Sequence, residues 1–262
     1  MDLDLTDRHA LVCGASQGIG RACAIELAQL GASVTVSARH ADALRQLVHE
    51  LPRANAAQRH GFLVCDAADT DSLRRAVDEL VTERPVHILV NNTGGPPPGP
   101  VHGAQIEAFL AAYRAHLVAN HVLAETVIPG MQAAGFGRIV NIISTSVKEP
   151  IAGLGVSNTT RWAVASWAKT LATELAPFGI TVNNVLPGST NTQRIKQIVA
   201  TRAEKSGASV ADAQRAMEAE VPARRFAEPA EIGAAVAFLA SPAAAYITGV
   251  NLPVDGGRTR SL

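Results

Sequence analysis

The stretch Arg8 to Gly20, RHALVCGASQGIG, decides the fold. Ala10, Leu11, Val12 and Cys13 form an apolar run too brief for a helix and without a polar face, the pattern of a central parallel strand covered on both sides. Gly14, Gly18 and Gly20 follow, where a side chain would block a tight turn, hold a bulky anion off the backbone, or keep the next helix away from the sheet. A helix predicted to begin near Gly18 turns its unpaired N–H groups toward that bend, which makes the bend an anion site. After a first strand, the anion that suits is a dinucleotide pyrophosphate. The spacing G-x-x-x-G-x-G also suits a plain turn, and the general fingerprint is G-x-G-x-x-G. The strand before it and the amphipathic run Arg21 to Leu30 after it favour the anion site.

Working outward, strand-like and helix-like segments alternate. After the first strand, Ala32 to Ala38, Gly61 to Cys65, Val86 to Val90, Arg138 to Ile143, Ile180 to Leu186 and Val250 to Val254 read as strands. Helical spacing covers Ala41 to Leu51, Asp71 to Thr82, about Ala104 to Met131, Gly155 to Ala176 and Pro229 to Leu239. This alternation predicts the α/β class: a single-domain, Rossmann-type, doubly wound parallel sheet of about seven strands with helices on both faces. With 262 residues, 47% of them apolar, the chain can bury one large core, so 1–262 reads as one domain. A polar, Ala-rich excursion over about Asn191 to Val221 is either a solvated helical pair or a substrate lid. It leaves the carboxyl end of strand six, where ligands bind in such sheets, and that favours the lid.

Twenty-three basic residues balance twenty-three acidic ones and no basic block occurs, which argues against nucleic acid or an anionic membrane surface as partner. The acidic start MDLDLTDRHA lacks the features of a secretion signal, and no run of about eighteen apolar residues follows, so a soluble, cytoplasmic protein is expected. Cys13, Cys23 and Cys65 are odd in number and form no C-x-x-C or His–Cys cluster. They read as reduced core residues, and no metal site is expected.

The segment G-A-S-Q-G-I-G resembles the cofactor turn of the short-chain dehydrogenase/reductase family, and similar segments continue in order along the chain. Asn91-Asn92-Thr93-Gly94 resembles the family's N-N-A-G, with Thr93 in place of alanine, and Pro187-Gly188 resembles its P-G segment over the nicotinamide. Glu228 to Gly257 resembles the carboxyl-terminal helix and strand that commonly build dimer and tetramer contacts. The resemblance spans Leu3 to Gly257. It implies cofactor contacts from Gly14, Ser16, Gln17, Gly18, Ile19 and Gly20, from Asp66 and Ala67 after strand three, where the family sets a carboxylate against adenine, and from Asn92, Thr93, Gly94, Pro187, Gly188, Thr190 and Thr192. The alternative for Asp66, an N-cap for the helix near Ser72, suits Asp69 or Thr70 better. Strand two ends Ala38-Arg39-His40, with no acid to hold a ribose 2′-hydroxyl. Arg39, beside Arg21 or His40, suits a 2′-phosphate, which favours NADP over NAD. Gly95-Pro96-Pro97-Pro98-Gly99 cannot be helical and predicts a stiff wall at the mouth of the site.

Carbonyl reduction by a nicotinamide needs hydride at carbon and a proton at oxygen. The family orients the carbonyl with a serine, gives the proton from a tyrosine four residues before a lysine, and completes a water relay with an asparagine. Gly137 to Ser144, GRIVNIIS, resembles the strand that ends in that serine, so Ser144 is its match. Ala168 to Leu175, AKTLATEL, sets the register of the next helix and puts Ser157 at the tyrosine and Arg161 at the lysine. A one-residue slip would put Asn158 and Trp162 there, and neither register restores Tyr-x-x-x-Lys. Counting back from Ile128-Pro129 puts His116 at the asparagine, and the two tyrosines, Tyr113 and Tyr246, lie in other segments. A serine is a far weaker acid than a phenol of pKa about 10, and Arg161 can hold ribose hydroxyls and present positive charge but, with a pKa above about 12, passes no protons. An imidazole titrates near about 6.5, so His116 is an expected proton source, with Lys148 after Ser144 or water as others.

These readings lead to an NADP-dependent oxidoreductase interconverting a small ketone, such as a 3-oxoacyl thioester, and a secondary alcohol, in a homodimer or homotetramer. The missing Tyr-x-x-x-Lys supports an alternative, a cofactor-binding, non-catalytic homologue acting as sensor or oligomer partner. A third, dehydration on the same scaffold, needs a general base.

Overall fold

The strands are β1 (His9–Cys13), β2 (Ser33–Ala38), β3 (Gly61–Val64), β4 (Ile88–Asn91), β5 (Gly137–Ile142), β6 (Ile180–Pro187) and β7 (Asn251–Val254). In the computed structural model, which describes residues 1–261, they form one parallel sheet in the order β3-β2-β1-β4-β5-β6-β7. The order reverses between β1 and β4, and such a switch point opens a crevice at the carboxyl ends of the strands. The helices are α1 (Gly18–Gln29), α2 (Ala41–Glu50), α3 (Thr70–Glu83), α4 (Ile106–Tyr113), α5 (Ala119–Ala133), α6 (Gly155–Leu175), α7 (Gln193–Ser206), α8 (Val210–Ala219) and α9 (Pro229–Ala240).

Alternate strand residues feed two cores. Val12, Val34, Val90 and Val140 pack with Leu27 of α1, Leu44 of α2 and Val236 of α9. Leu11, Leu89, Ile139 and Val182 pack with Leu73 of α3, Leu123 of α5 and Ala172 of α6. Each fully buried leucine contributes about 1.5–3 kcal/mol of transfer free energy, so the two layers fix the sheet between them. Helix α9 lies close enough on α1 that a Cβ at Gly233 would stand 3.0 Å from the Ala22 backbone. Across β4 to β7 an asparagine occupies the same register in every strand, and each amide donates to the next: Asn91 to Asn141 (2.8 Å), Asn141 to Asn184 (2.9 Å), Asn184 to Asn251 (2.8 Å). This ladder satisfies buried amides that would otherwise cost free energy, and it leaves Asn91 Oδ1 without a partner at its inner end.

Several boundaries move from those the sequence predicts. The expected fourth strand starts at Ile88 rather than Val86, and the expected helix from Ala104 to Met131 is α4 and α5 joined by a π-turn, Arg114–Val118. Such turns insert a residue into the helical repeat and re-aim side chains, here around His116. Cys65 does not lie in a buried strand: it follows β3, an edge strand whose Phe62 and Val64 are exposed, and is itself half-buried. Asp69 caps α3, its Oδ1 accepting from the Ser72 N–H. The excursion after β6 folds as α7 and α8, packed on each other through Ile195, Val199, Ala213, Met217 and Phe226. Its root is tied down by a bridge between Thr190 and Ala227.

Candidate active site

At the switch point, the turn after β1 meets the segment after β4. Gly14 has φ +59°, and a Cβ there would stand 2.5 Å from Asn92 O. At Gly20 a Cβ would come within 2.4 Å of Gly14 O. The Asn92 amide donates to Cys13 O (3.3 Å) and Gly14 O (3.1 Å), pinning the turn open. Gly18, also at positive φ, lies under Thr192 just before α7, and the Thr192 methyl would be 3.2 Å from a Cβ. The α1 N-terminus has Gln17 at its cap with no side-chain cap bond, and no acidic residue in its first turn. The helix therefore presents unpaired donors and positive potential to the bend. Ser16 and Ile19 are part-buried in this turn, and Gly188 packs so closely on Asp255 that a Cβ would lie 2.7 Å from its Cα.

Farther along the crevice, Arg39 leaves the end of β2 exposed, and Asp66 and Ala67 follow the neighbouring β3. Asp66 accepts from the Ala68 N–H rather than capping α3. Arg21 is committed to Glu50 on α2, its Nη2 2.5 Å from Oε2. A dinucleotide's phosphates fit this arrangement: a glycine cradle that a Cβ would fill, uncapped helix N–H groups, and an exposed guanidinium with no ion pair among the described residues.

The second polar group gathers at the ends of β5 and α6. Ser144 stands in extended backbone just past β5, and its Oγ accepts from the Ser146 N–H (3.1 Å). Ser157 and Arg161 lie four residues apart on one face of α6. Arg161 is buried, 8% exposed, and donates from Nη1 to Ile142 O (2.9 Å). Burial, and next the charge of Arg194, push its pKa down to about 10, which leaves it a cation near neutrality. The slipped register points elsewhere: Trp162 is half exposed and donates to Ser146 O, while Asn158 donates to Ile151 O. Tyr113 ends α4 and Tyr246 projects wholly into solvent.

His116 sits on the π-turn, buried, with Nδ1 2.5 Å from Thr93 Oγ1. Thr93 and His116, singled out separately in the sequence, are thus in contact. Burial, and next the Arg161 charge, push His116 down to about 3. The ring is neutral near pH 7, so the expected titration near about 6.5 does not occur. Lys148 follows the short 3-10 turn after Ser144 and has an interaction of its own. Thr190 Oγ1 donates to Gly188 O and Thr192 Oγ1 to Thr190 O, so both hydroxyls brace the loop after Pro187. Gly94 is exposed, with open space where a side chain would be.

One residue escapes a sequence reading. Arg194, in the first turn of α7, folds back so that Nη2 donates to Pro96 O at 3.2 Å, joining α7 to the Gly95-to-Gly99 segment. Its only signal in the sequence is a cation at the start of a helix, the end where the dipole favours anions.

The family model described as "Enoyl-(Acyl carrier protein) reductase" matches residues 14–259. NADPH-dependent reductase BacG of Bacillus subtilis is 30% identical over 259 residues, covering 98% of this chain and 100% of the relative. The 3-oxoacyl-acyl-carrier-protein reductase FabG of Pseudomonas aeruginosa is 32% identical over 263 residues, covering 97% and 98%. Among solved structures, L-sorbose reductase from Gluconobacter frateurii complexed with NADPH and L-sorbose superposes with a TM-score of 0.93 at 29% identity, each chain covered in full. Fold, cradle and full-length similarity agree: the chain belongs to the short-chain dehydrogenase/reductase family.

Proposed function

We propose that the chain interconverts a small ketone, such as a 3-oxoacyl thioester, and a secondary alcohol at the end of β5, with Ser144, Ser157 and Arg161 holding the oxygen. The protein is an NADP-dependent oxidoreductase acting on CH–OH groups, in keeping with relatives that are NADPH-dependent reductases. What carries the site assignment is one juxtaposition: the pyrophosphate cradle and the Ser144–Arg161 group stand at the carboxyl ends of β1 and β5, on either side of the switch point.

The turn Gly14 to Gly20 would take the pyrophosphate, Arg39 the 2′-phosphate, Asp66 with Ala67 the adenine, and Asn92 to Gly94, Pro187, Gly188, Thr190 and Thr192 the nicotinamide half. Nicotinamide, when bound, supplies or takes up the hydride. Because Ser144 Oγ already accepts from the Ser146 N–H, its own hydrogen is left to donate to the substrate oxygen. Arg161 brings fixed positive charge to the oxygen as it becomes alkoxide, and one such preorganised donor is worth about 2.7–4 kcal/mol. Ser157, one turn earlier on the same face, adds a second hydroxyl. His116 stores no proton near neutrality, but a neutral imidazole gives a proton from one nitrogen as it takes one at the other. The Thr93 hydroxyl at Nδ1 leaves Nε2 for water, so the pair relays a proton from solvent.

The same reading makes 1–262 one functional domain, with α7 and α8 as lid, in a cytoplasmic homodimer or homotetramer. Exposed Ile106, Leu110, Trp162 and Tyr246 supply the apolar surface that such an assembly would cover. The test is NADPH oxidation with a panel of oxo acids, oxoacyl thioesters, ketoses and ketosteroids. Turnover of at least one is expected, and tight NADPH binding with no turnover of any carbonyl overturns the proposal.

A further inference from the structure

Beside Gly95 two guanidinium groups converge from different elements. Arg194 reaches over the proline wall from α7 and Arg161 rises from α6. A Cβ on Gly95 would lie 3.7 Å from Arg194 Nη2 and 4.0 Å from Arg161 Nη2, so both nitrogens border the same small space. Neither arginine has an ion pair among the described residues, whose ion pairs all belong to other arginines. Among the described residues Arg194 meets only the carbonyls of Gly95 and Pro96, and the one hydrogen bond of Arg161 goes to Ile142 O through Nη1, which leaves the Nη2 that borders Gly95 without one. Helix α7 adds to the imbalance: its first turn holds no acidic residue and its cap, Thr192, makes no side-chain cap bond. Two cations facing one gap, one of them buried, repel each other and cost free energy until an anion enters between them. Burial lowers the Arg161 pKa first, and the Arg194 charge lowers it further.

We propose that Arg194 and Arg161 form a seat for a carboxylate carried by the carbonyl substrate, so that the preferred substrates are oxo acids. The inference rests on the carbonyl chemistry proposed above and adds the class of compound. The planar fork of an arginine matches a carboxylate, and two forks approaching one carboxylate from different elements fix the carbonyl relative to Ser144. The seat lies past Thr93 and Gly94, toward α6 and the lid, whereas the phosphate cradle opens beside α1. Arg194 is thus a specificity-determining residue, and the Gly95-to-Gly99 wall holds it in place.

The test uses the whole protein loaded with NADP and a series of 2-oxo and 3-oxo acids, each paired with its methyl ester. Calorimetry reads binding separately from turnover. The acids should bind at least tenfold more tightly than their esters, as a charge-assisted pair implies. Arg194→Gln should bring the acid-to-ester ratio close to one, and Arg194→Lys should restore part of it. The seat is overturned if acids bind no better than esters, or if Arg194→Gln weakens NADPH as much as oxo acid, which would place a cofactor phosphate there. Selective binding of acids without reduction by NADPH supports the seat and overturns the carbonyl chemistry instead, so the two failures are distinct.

Discussion

Around Gly14, Gly20 and Asn92 the closest approaches are to backbone atoms, whereas the end of β5 carries polar side chains. In the first region a single methyl group would collide with a carbonyl at 2.4 or 2.5 Å, so only glycine permits the geometry. In the second region the strand and helix fold on their apolar faces, and Ser144, Ser157, Arg161 and His116 are hung on them. Changing such groups alters the chemistry without dismantling the scaffold.

The sharpest way to break this contrast is a pair of substitutions read by two assays. Ser144→Ala should lower kcat by about 10²–10³ while leaving NADPH affinity within about twofold. Equal losses in both would mean that Ser144 belongs to the cradle. Gly14→Ala should do the reverse, weakening NADPH by about a hundredfold in a fluorescence titration, since it strains a left-handed residue and pushes on Asn92. Unchanged NADPH affinity would remove the pyrophosphate from that turn.

Acid sharpens the contrast on the stability side. His9, at the amino end of β1, and His116, in the cleft, are both held near 3 by burial. Above about pH 6.5 each is neutral folded or unfolded. Below it the unfolded chain binds protons that the folded protein refuses, so stability falls as pH drops from about 6.5 toward 3, by about 1.4 kcal/mol per unit per group. Urea denaturation at pH 7 and pH 5 should show a loss of about 2 kcal/mol from each. His116→Asn should remove one share and leave that of His9, and an undiminished loss would show that His116 already titrates normally. The smallest effect is at the surface: Arg39→Gln should cut the preference for NADPH over NADH by about tenfold, measured as a ratio of kcat/KM. An unaltered ratio would assign the 2′-phosphate to another cation.

Legibility follows the range of the interaction. Asp69 as the cap of α3, the glycine turn and the seven-strand alternation are set by neighbours within a few residues, and each was readable in order. The Thr93–His116 contact joins residues 23 positions apart across a π-turn that no apolar periodicity announces. The approach of Arg194 to Pro96 spans 98 positions and depends on how the start of α7 is held.

Local letters therefore carry the parallel sheet, its crevice and a cradle for phosphates, because apolar spacing and glycine's conformational freedom act over a turn or a strand. Which ionisable groups lose their water, and which cations approach each other, emerges once α6, the π-turn and α7 come together. Desolvation and Coulomb repulsion are properties of that packing, and they make His116 neutral and leave Arg161 and Arg194 facing one gap.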